Sequence, residues 1–197
     1  MGSNARARIL RVFIFNTHVF TVGQIRKRAA VSAKTAQKEI RTLERWGVIK
    51  KGKFSIAIGK SPRTVLAKNQ KKEAWTANPN FRHAQALGKF IHEVSPVHHK
   101  NILLKLRKAG RISAIILSGS FLGDESRPAD ILLAADNINE SRLQAAVRSL
   151  EPEVGRELRY AFFSTPEFRY RLTIQDRLIR DTLDYPHIVL LDKTRQL

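Results

Sequence analysis

Residues 32–49, Ser-Ala-Lys-Thr-Ala-Gln-Lys-Glu-Ile-Arg-Thr-Leu-Glu-Arg-Trp-Gly-Val-Ile, constrain this chain more than any other stretch. Ser32 reads as a helix N-cap, its hydroxyl placed to accept from the unpaired N–H groups of a first turn. Ala36, Ile40 and Leu43 follow at steps of four and three, the spacing at which side chains share one helix face. Gly47 supplies the positive φ that ends a helix abruptly. The pattern predicts a short amphipathic helix over 32–46. Its other face carries Lys34, Thr35, Gln37, Lys38, Arg41 and Arg45, opposed only by Glu39 and Glu44. Those basic and polar side chains bond phosphates or base edges, although a basic face taken alone is most often simply solvated.

The neighbouring segments favour the first role. Residues 21–29 read as a helix capped by Thr21, and Ala30 and Val31 make the short turn that leads to Ser32. Beyond Gly47, the basic run Lys50, Lys51, Gly52, Lys53 precedes a strand pattern at 54–58, and residues 74–77 read as a returning strand. Helix, turn, helix and basic hairpin, in that order, resemble the winged-helix DNA-binding domains of transcription regulators over about residues 5–80. The resemblance implies that 32–46 is a recognition helix in the major groove of duplex DNA. Lys34, Thr35, Gln37, Lys38, Arg41 and Arg45 would face the groove, and Lys50, Lys51 and Lys53 would meet phosphates from the wing.

Charge points the same way. The formal net charge is +19, and residues 1–75 hold 18 Lys+Arg against 3 Asp+Glu, whereas residues 76–197 hold 18 against 14. A polyanion is the economical partner, because neutralising phosphates releases counterions. Structured RNA suits the charge equally well. A membrane surface suits it poorly, since the basic segments lack a broad aromatic or leucine-rich face. No cysteine is present, which excludes disulfides and thiolate metal sites and fits a reducing compartment. No apolar run reaches membrane-spanning length and no signal-peptide core is evident, so the expected location is the cytoplasm.

Residues 5–16 read as a supporting helix with Ile9, Leu10, Phe13 and Ile14 inward and Arg6, Arg8 and Arg11 outward. The polar stretch 59–70, with Pro62, reads as a wing tip whose Lys60, Arg63 and Lys68, with Lys71 and Lys72 beyond, follow a backbone. Trp75 is expected to pack the wing, and residues 78–80 to mark a boundary. Two helical patterns, 81–94 and 97–109, break at Ser95 and Pro96 and read as connectors. They also offer a surface for a homodimer, the form in which helix-turn-helix proteins read palindromes. His92, His98 and His99 have no carboxylate or cysteine at ligand spacing, so no metal site is expected there.

The remainder alternates strands (112–117, 129–134, 158–163, 187–191) with helices (140–150, from 165, 176–183), an α/β or α+β pattern. The aromatics of 159–163 and 168–172 read as core positions rather than base-stacking ones. Gly119-Ser120, nine further residues and then Asp130-Ile131 resemble the minimal nucleotidyltransferase domain, over about 82–192. That family pairs a Gly-Ser turn with a strand bearing two carboxylates at i and i+2, which hold divalent metal for in-line transfer. Here Leu132 stands where the second acid belongs, and residues 159–163 lack a third. Asp136 shares the parity of Asp130 but lies roughly 20 Å along an extended strand. The resemblance thus implies a nucleotidyltransferase-like fold with no catalytic residues and no cofactor. Gly119 and Ser120, with Asp130, read either as a phosphate-binding turn or as an ordinary tight turn closed by a strand-end acid.

The expectation is an α+β chain: a winged helix-turn-helix domain (1–80), connecting helices (81–110) and an inactive nucleotidyltransferase-like domain with a small mixed sheet (111–197). Its expected function is that of a transcription regulator bound to duplex DNA. Two alternatives stand beside it. One is a nucleotidyltransferase acting on RNA or a protein partner with Mg²⁺ and nucleotide, through Ser120, Asp130 and one unconventional acid. The other is a structured-RNA or ribosome-associated binder.

Overall fold

Capping side chains set the boundaries of the first helices. In the computed structural model, which describes residues 4–52, 73–93 and 99–197, the Thr21 hydroxyl accepts from the N–H of Gln24 while the Gln24 side chain accepts from the N–H of Thr21. This reciprocal box opens α2 (Val22–Ala29). Ala30 takes a left-handed φ of 50°, and Ser32 caps α3 (Ala33–Arg45) by accepting from the N–H of Thr35 at 3.1 Å. At the far end the N–H groups of Gly47 and Val48 bond the carbonyls of Glu44 and Leu43. That Schellman arrangement requires the positive φ of 72° that Gly47 adopts.

The chain is α+β and divides into two units, Met1–Val94 and Ser95–Leu197. In the first, α1 (Asn4–Ile14), α2 and α3 pack together over a three-stranded antiparallel sheet. Its strands are β1 (Phe20–Thr21), β2 (Ile49–Gly52) and β3 (Ala74–Ala77), in the order β1-β3-β2. Ile9, Val12, Phe13, Ile25, Ile40 and Leu43 fill the centre, and Trp75 is buried with its indole N–H donated to Glu44 at 3.2 Å. Arg11, expected at the surface, is buried instead. The reason is that α2, α3 and α4 (Ala84–Glu93) all pack on α1, which leaves it little wet surface.

Of the two helices read as connectors, α4 belongs to the first core through Ile91 and Leu87, and α5 (His99–Leu106) to the second through Ile102 and Leu106. The strand expected at 54–58, the wing tip at 59–70, Lys71, Lys72, the break at Ser95 and Pro96, and His98 lie outside the described residues.

The second unit is built on a mixed sheet of order β6-β5-β4-β7. These strands are β4 (Arg111–Leu117), β5 (Ile131–Asp136), β6 (Tyr160–Phe163) and β7 (Ile188–Asp192); only β5 and β6 run parallel. Alternation along β5 sends Ile131, Leu133 and Ala135 to one face and Leu132 and Ala134 to the other. The first face packs on α5 and α6 (Glu140–Val154), the second on α7 (Thr165–Thr173) and α8 (Arg177–Leu183). Both faces of β5 are therefore dry, which explains why its sequence reads as an unbroken apolar run. The aromatics of β6 divide likewise, Tyr160 and Phe162 toward the α5–α6 core and Phe163 toward the α7–α8 core.

Candidate nucleic-acid interface

Ala36, Glu39, Ile40 and Leu43 form the buried side of α3, and the stripe opposite holds Lys34, Lys38, Arg41 and Arg45 at i, i+4, i+7 and i+11. With about 100° of rotation per residue these four fall in one narrow sector, and Gln37 borders it. All five are exposed. Among the described residues, none of the four cations makes an ion pair.

The stripe is unneutralised because both acids of α3 point away from it. Glu39, expected to oppose the cations, is buried and accepts from Arg6 Nε at 2.6 Å. Glu44 accepts from Trp75. The Arg6 guanidinium also lies over the Trp46 ring, 4.9 Å from its centroid. Thr35 departs from the expected set: it is half-buried, and its hydroxyl lies 2.8 Å from that of Ser32, within the cap.

Lys50 and Lys51, which the sequence pattern puts on a basic loop, stand instead within β2. They pair in register with Thr76 and Trp75; Lys53 lies outside the described residues. Both side chains are exposed, but they are not equivalent. Lys51 Nζ bonds Glu73 Oε1 at 3.0 Å, and that hydrogen bond and the Glu73 charge raise its pKa. Lys50 makes no ion pair among the described residues.

In the second unit, Gly119, Ser120 and Asp130 are brought together. The Asp130 carboxylate is fully buried and accepts from the Ser120 N–H at 2.7 Å, the Arg159 N–H at 2.8 Å, Arg159 Nε at 3.3 Å and Arg159 Nη2 at 3.2 Å. Burial by itself would raise its pKa, but the Arg159 side chain and the two backbone donors outweigh burial and lower it. Gly119 has a φ of 53°, and a Cβ there would fall on Asp130 Oδ1. Gly119→Ala is accordingly expected to destabilise the unit by more than the roughly 1–2 kcal/mol of left-handed backbone strain alone. A lowered urea midpoint checks this; an unchanged midpoint would mean that the carboxylate need not approach so closely.

Leu132 packs with Phe168 and Ile179 on the face covered by α7 and α8. Asp136, at the other end of β5, accepts from the N–H and hydroxyl of Thr165 at the start of α7, which lowers its pKa. Among the described residues, no three His, Cys, Asp or Glu side chains gather as a metal site, and no helix is long and apolar enough to cross a membrane. Comparison with known proteins finds no matching family model, curated protein or solved structure.

Proposed function

We propose that the chain is a duplex-DNA-binding protein acting in transcription regulation, with a winged-helix first unit and a catalytically inactive, nucleotidyltransferase-like second unit. The observation that carries this reading is the unneutralised stripe Lys34, Lys38, Arg41, Arg45 on α3, set opposite the helix's buried side while Glu39 and Glu44 turn inward. A helix of this length presenting cations and Gln37 on one edge matches what a major groove accepts. The order of α1, β1, α2, α3, β2 and β3 and the β1-β3-β2 sheet support the winged-helix comparison. For the second unit, support comes from the mixed sheet with Gly119-Ser120 after its first strand. Inactivity is supported by Leu132 and by Asp130, whose oxygens are occupied by four N–H donors.

The testing experiment is competition of a selected duplex against random duplex and structured RNA at low and near-physiological salt. Survival of the selected duplex as the others dissociate supports base readout. Equal dissociation of all three reduces the charge to non-specific attraction and counts against the regulator.

The pairing of Lys51 with Glu73 yields a finer expectation. Lys50→Gln should flatten the salt dependence of duplex binding by nearly one in log–log slope, as removal of one phosphate-neutralising cation requires. Lys51→Gln should flatten it less, because part of its charge is already answered. The reverse order would place the backbone on the Lys51 side of β2.

A further inference from the structure

Ion pairing sorts the charge of the second unit. Residues 95–197 carry 16 Lys+Arg against 13 Asp+Glu, so a modest excess has to lie somewhere. Arg127 pairs with Asp124, Arg156 with Glu125, Arg159 with Asp130, and Arg171 with both Glu167 and Asp176. Along α8, Arg177 meets Asp181 and Arg180 meets Asp184. The acids are thus engaged mainly around the turn that precedes β5 and on α7 and α8.

Of the described cations that make no ion pair, Lys105, Lys108 and Arg142 lie together on the opposite helices, while Arg111, Arg169, Lys193 and Arg195 are scattered over the rest of the unit. Lys105, Lys108 and Arg142 line an open groove of ≈ 720 Å³ with Ala145, Ala146 and Ser149, between α5 with its 3-10 extension (Arg107–Ala109) and α6. Among the described residues, none of these three cations makes an ion pair. Lys105 Nζ donates to the Ser149 carbonyl at 3.0 Å, which holds the ammonium across the groove and leaves two of its three donors for a ligand. Ile102, Leu106, Leu143, Val147 and Leu150 lock the two helices together underneath, so the cations are carried on a rigid frame. Glu140 lies on the other side of α6, while Glu153 follows one turn beyond Ser149 on the same side of the helix.

We propose that this groove is a second phosphate-backbone contact for duplex DNA, carried by the second unit. The inference rests on the duplex-binding reading and extends it. Cations on both walls raise the local potential, and the small side chains of Ala145 and Ala146 permit a sugar-phosphate chain to approach. None of these residues stands out in the sequence patterns, because α5 and α6 meet only in the fold.

The test uses the full chain and a random-sequence duplex, reading the slope of log affinity against log salt. Lys108→Gln with Arg142→Gln is expected to reduce the slope's magnitude by about 2, as removal of two phosphate-neutralising cations requires. Arg177→Gln with Arg180→Gln removes the same charge from paired positions on α8 and is expected to leave the slope unchanged. Equal effects of the two pairs, or none from the groove pair, overturn the proposal. So does a change confined to structured RNA. Lys38→Ala with Arg41→Ala, measured alongside, separates the two readings. A groove effect without an α3 effect keeps the groove and removes the recognition helix; an α3 effect without a groove effect does the opposite.

Discussion

Asp130→Asn is expected to destabilise the second unit by about 3 kcal/mol at neutral pH, with the deficit shrinking as the solution becomes acid. Each carboxylate oxygen accepts two N–H groups: Oδ1 from the Ser120 N–H and Arg159 Nη2, Oδ2 from the Arg159 N–H and Nε. An amide replaces one acceptor by an NH₂ donor. Whichever way it is turned, that donor confronts one backbone N–H and one guanidinium N–H in a fully buried position. Hydrogen bonds to a charged acceptor contribute about 1.5–3 kcal/mol each. The Arg159 side chain is 46% exposed, so its share is screened, and the expected cost stays near that of one missing backbone bond with its desolvation.

The pH dependence follows from the sign of the shift. The folded pKa of Asp130 lies below the unfolded value of about 3.9. Its contribution is therefore complete above the ordinary carboxylate range and is lost as pH falls through the lowered folded value. Asp124, Asp136 and Asp192 are shifted in the same direction, so the unmodified chain loses stability in acid for several reasons, and only the Asp130 part is absent from the variant. Urea unfolding at neutral pH and below about pH 4 measures both effects. Equal stability at neutral pH would mean that these hydrogen bonds do not hold the Gly119 turn. A gap undiminished in acid would show that the ionised carboxylate is not their source.

Lys38→Ala with Arg41→Ala is expected to weaken duplex binding strongly, by about 1–3 kcal/mol for each base-edge hydrogen-bonding pair that the truncation removes, while leaving the fold intact. Both side chains are exposed and make no ion pair among the described residues, and surface changes of this kind shift stability by about 0.5 kcal/mol or less. The bond from the Thr42 hydroxyl to the Lys38 carbonyl involves only backbone at position 38 and survives the substitution. Binding titrations should be paired with unfolding curves. Weak binding with an unchanged midpoint locates the effect at the interface, and unchanged binding in the double variant places the recognising surface elsewhere on the chain.

The candidate interface was legible where it depended on helix periodicity and illegible where it depended on a partner across the fold. Lys34, Lys38, Arg41 and Arg45 share an edge because a helix places i, i+4, i+7 and i+11 together, whatever surrounds it. Glu39, three residues after Ala36 and four before Leu43, falls on the buried side by the same periodicity; what the local pattern does not carry is its partner, Arg6, 33 residues away, which meets it as α1 packs on α3. Lys50 and Lys51 read as loop residues because a lysine pair in a basic run has low strand preference, yet pairing with β3 draws both into the sheet.

Local chemistry by itself determined the capping by Thr21 and Ser32, the stop at Gly47, the run of strands and helices after residue 110 and the segregation of charge to the first half, since each depends on residues a few positions apart or on composition. Tertiary structure alone decided that Arg11 is buried, that Glu39 meets Arg6 and Glu44 meets Trp75, that Asp130 binds Arg159 from 29 residues away, and that Lys105, Lys108 and Arg142 share a groove. Burial and ion pairing are properties of surfaces brought together by folding, and a charged side chain takes its role from whichever partner the fold sets beside it.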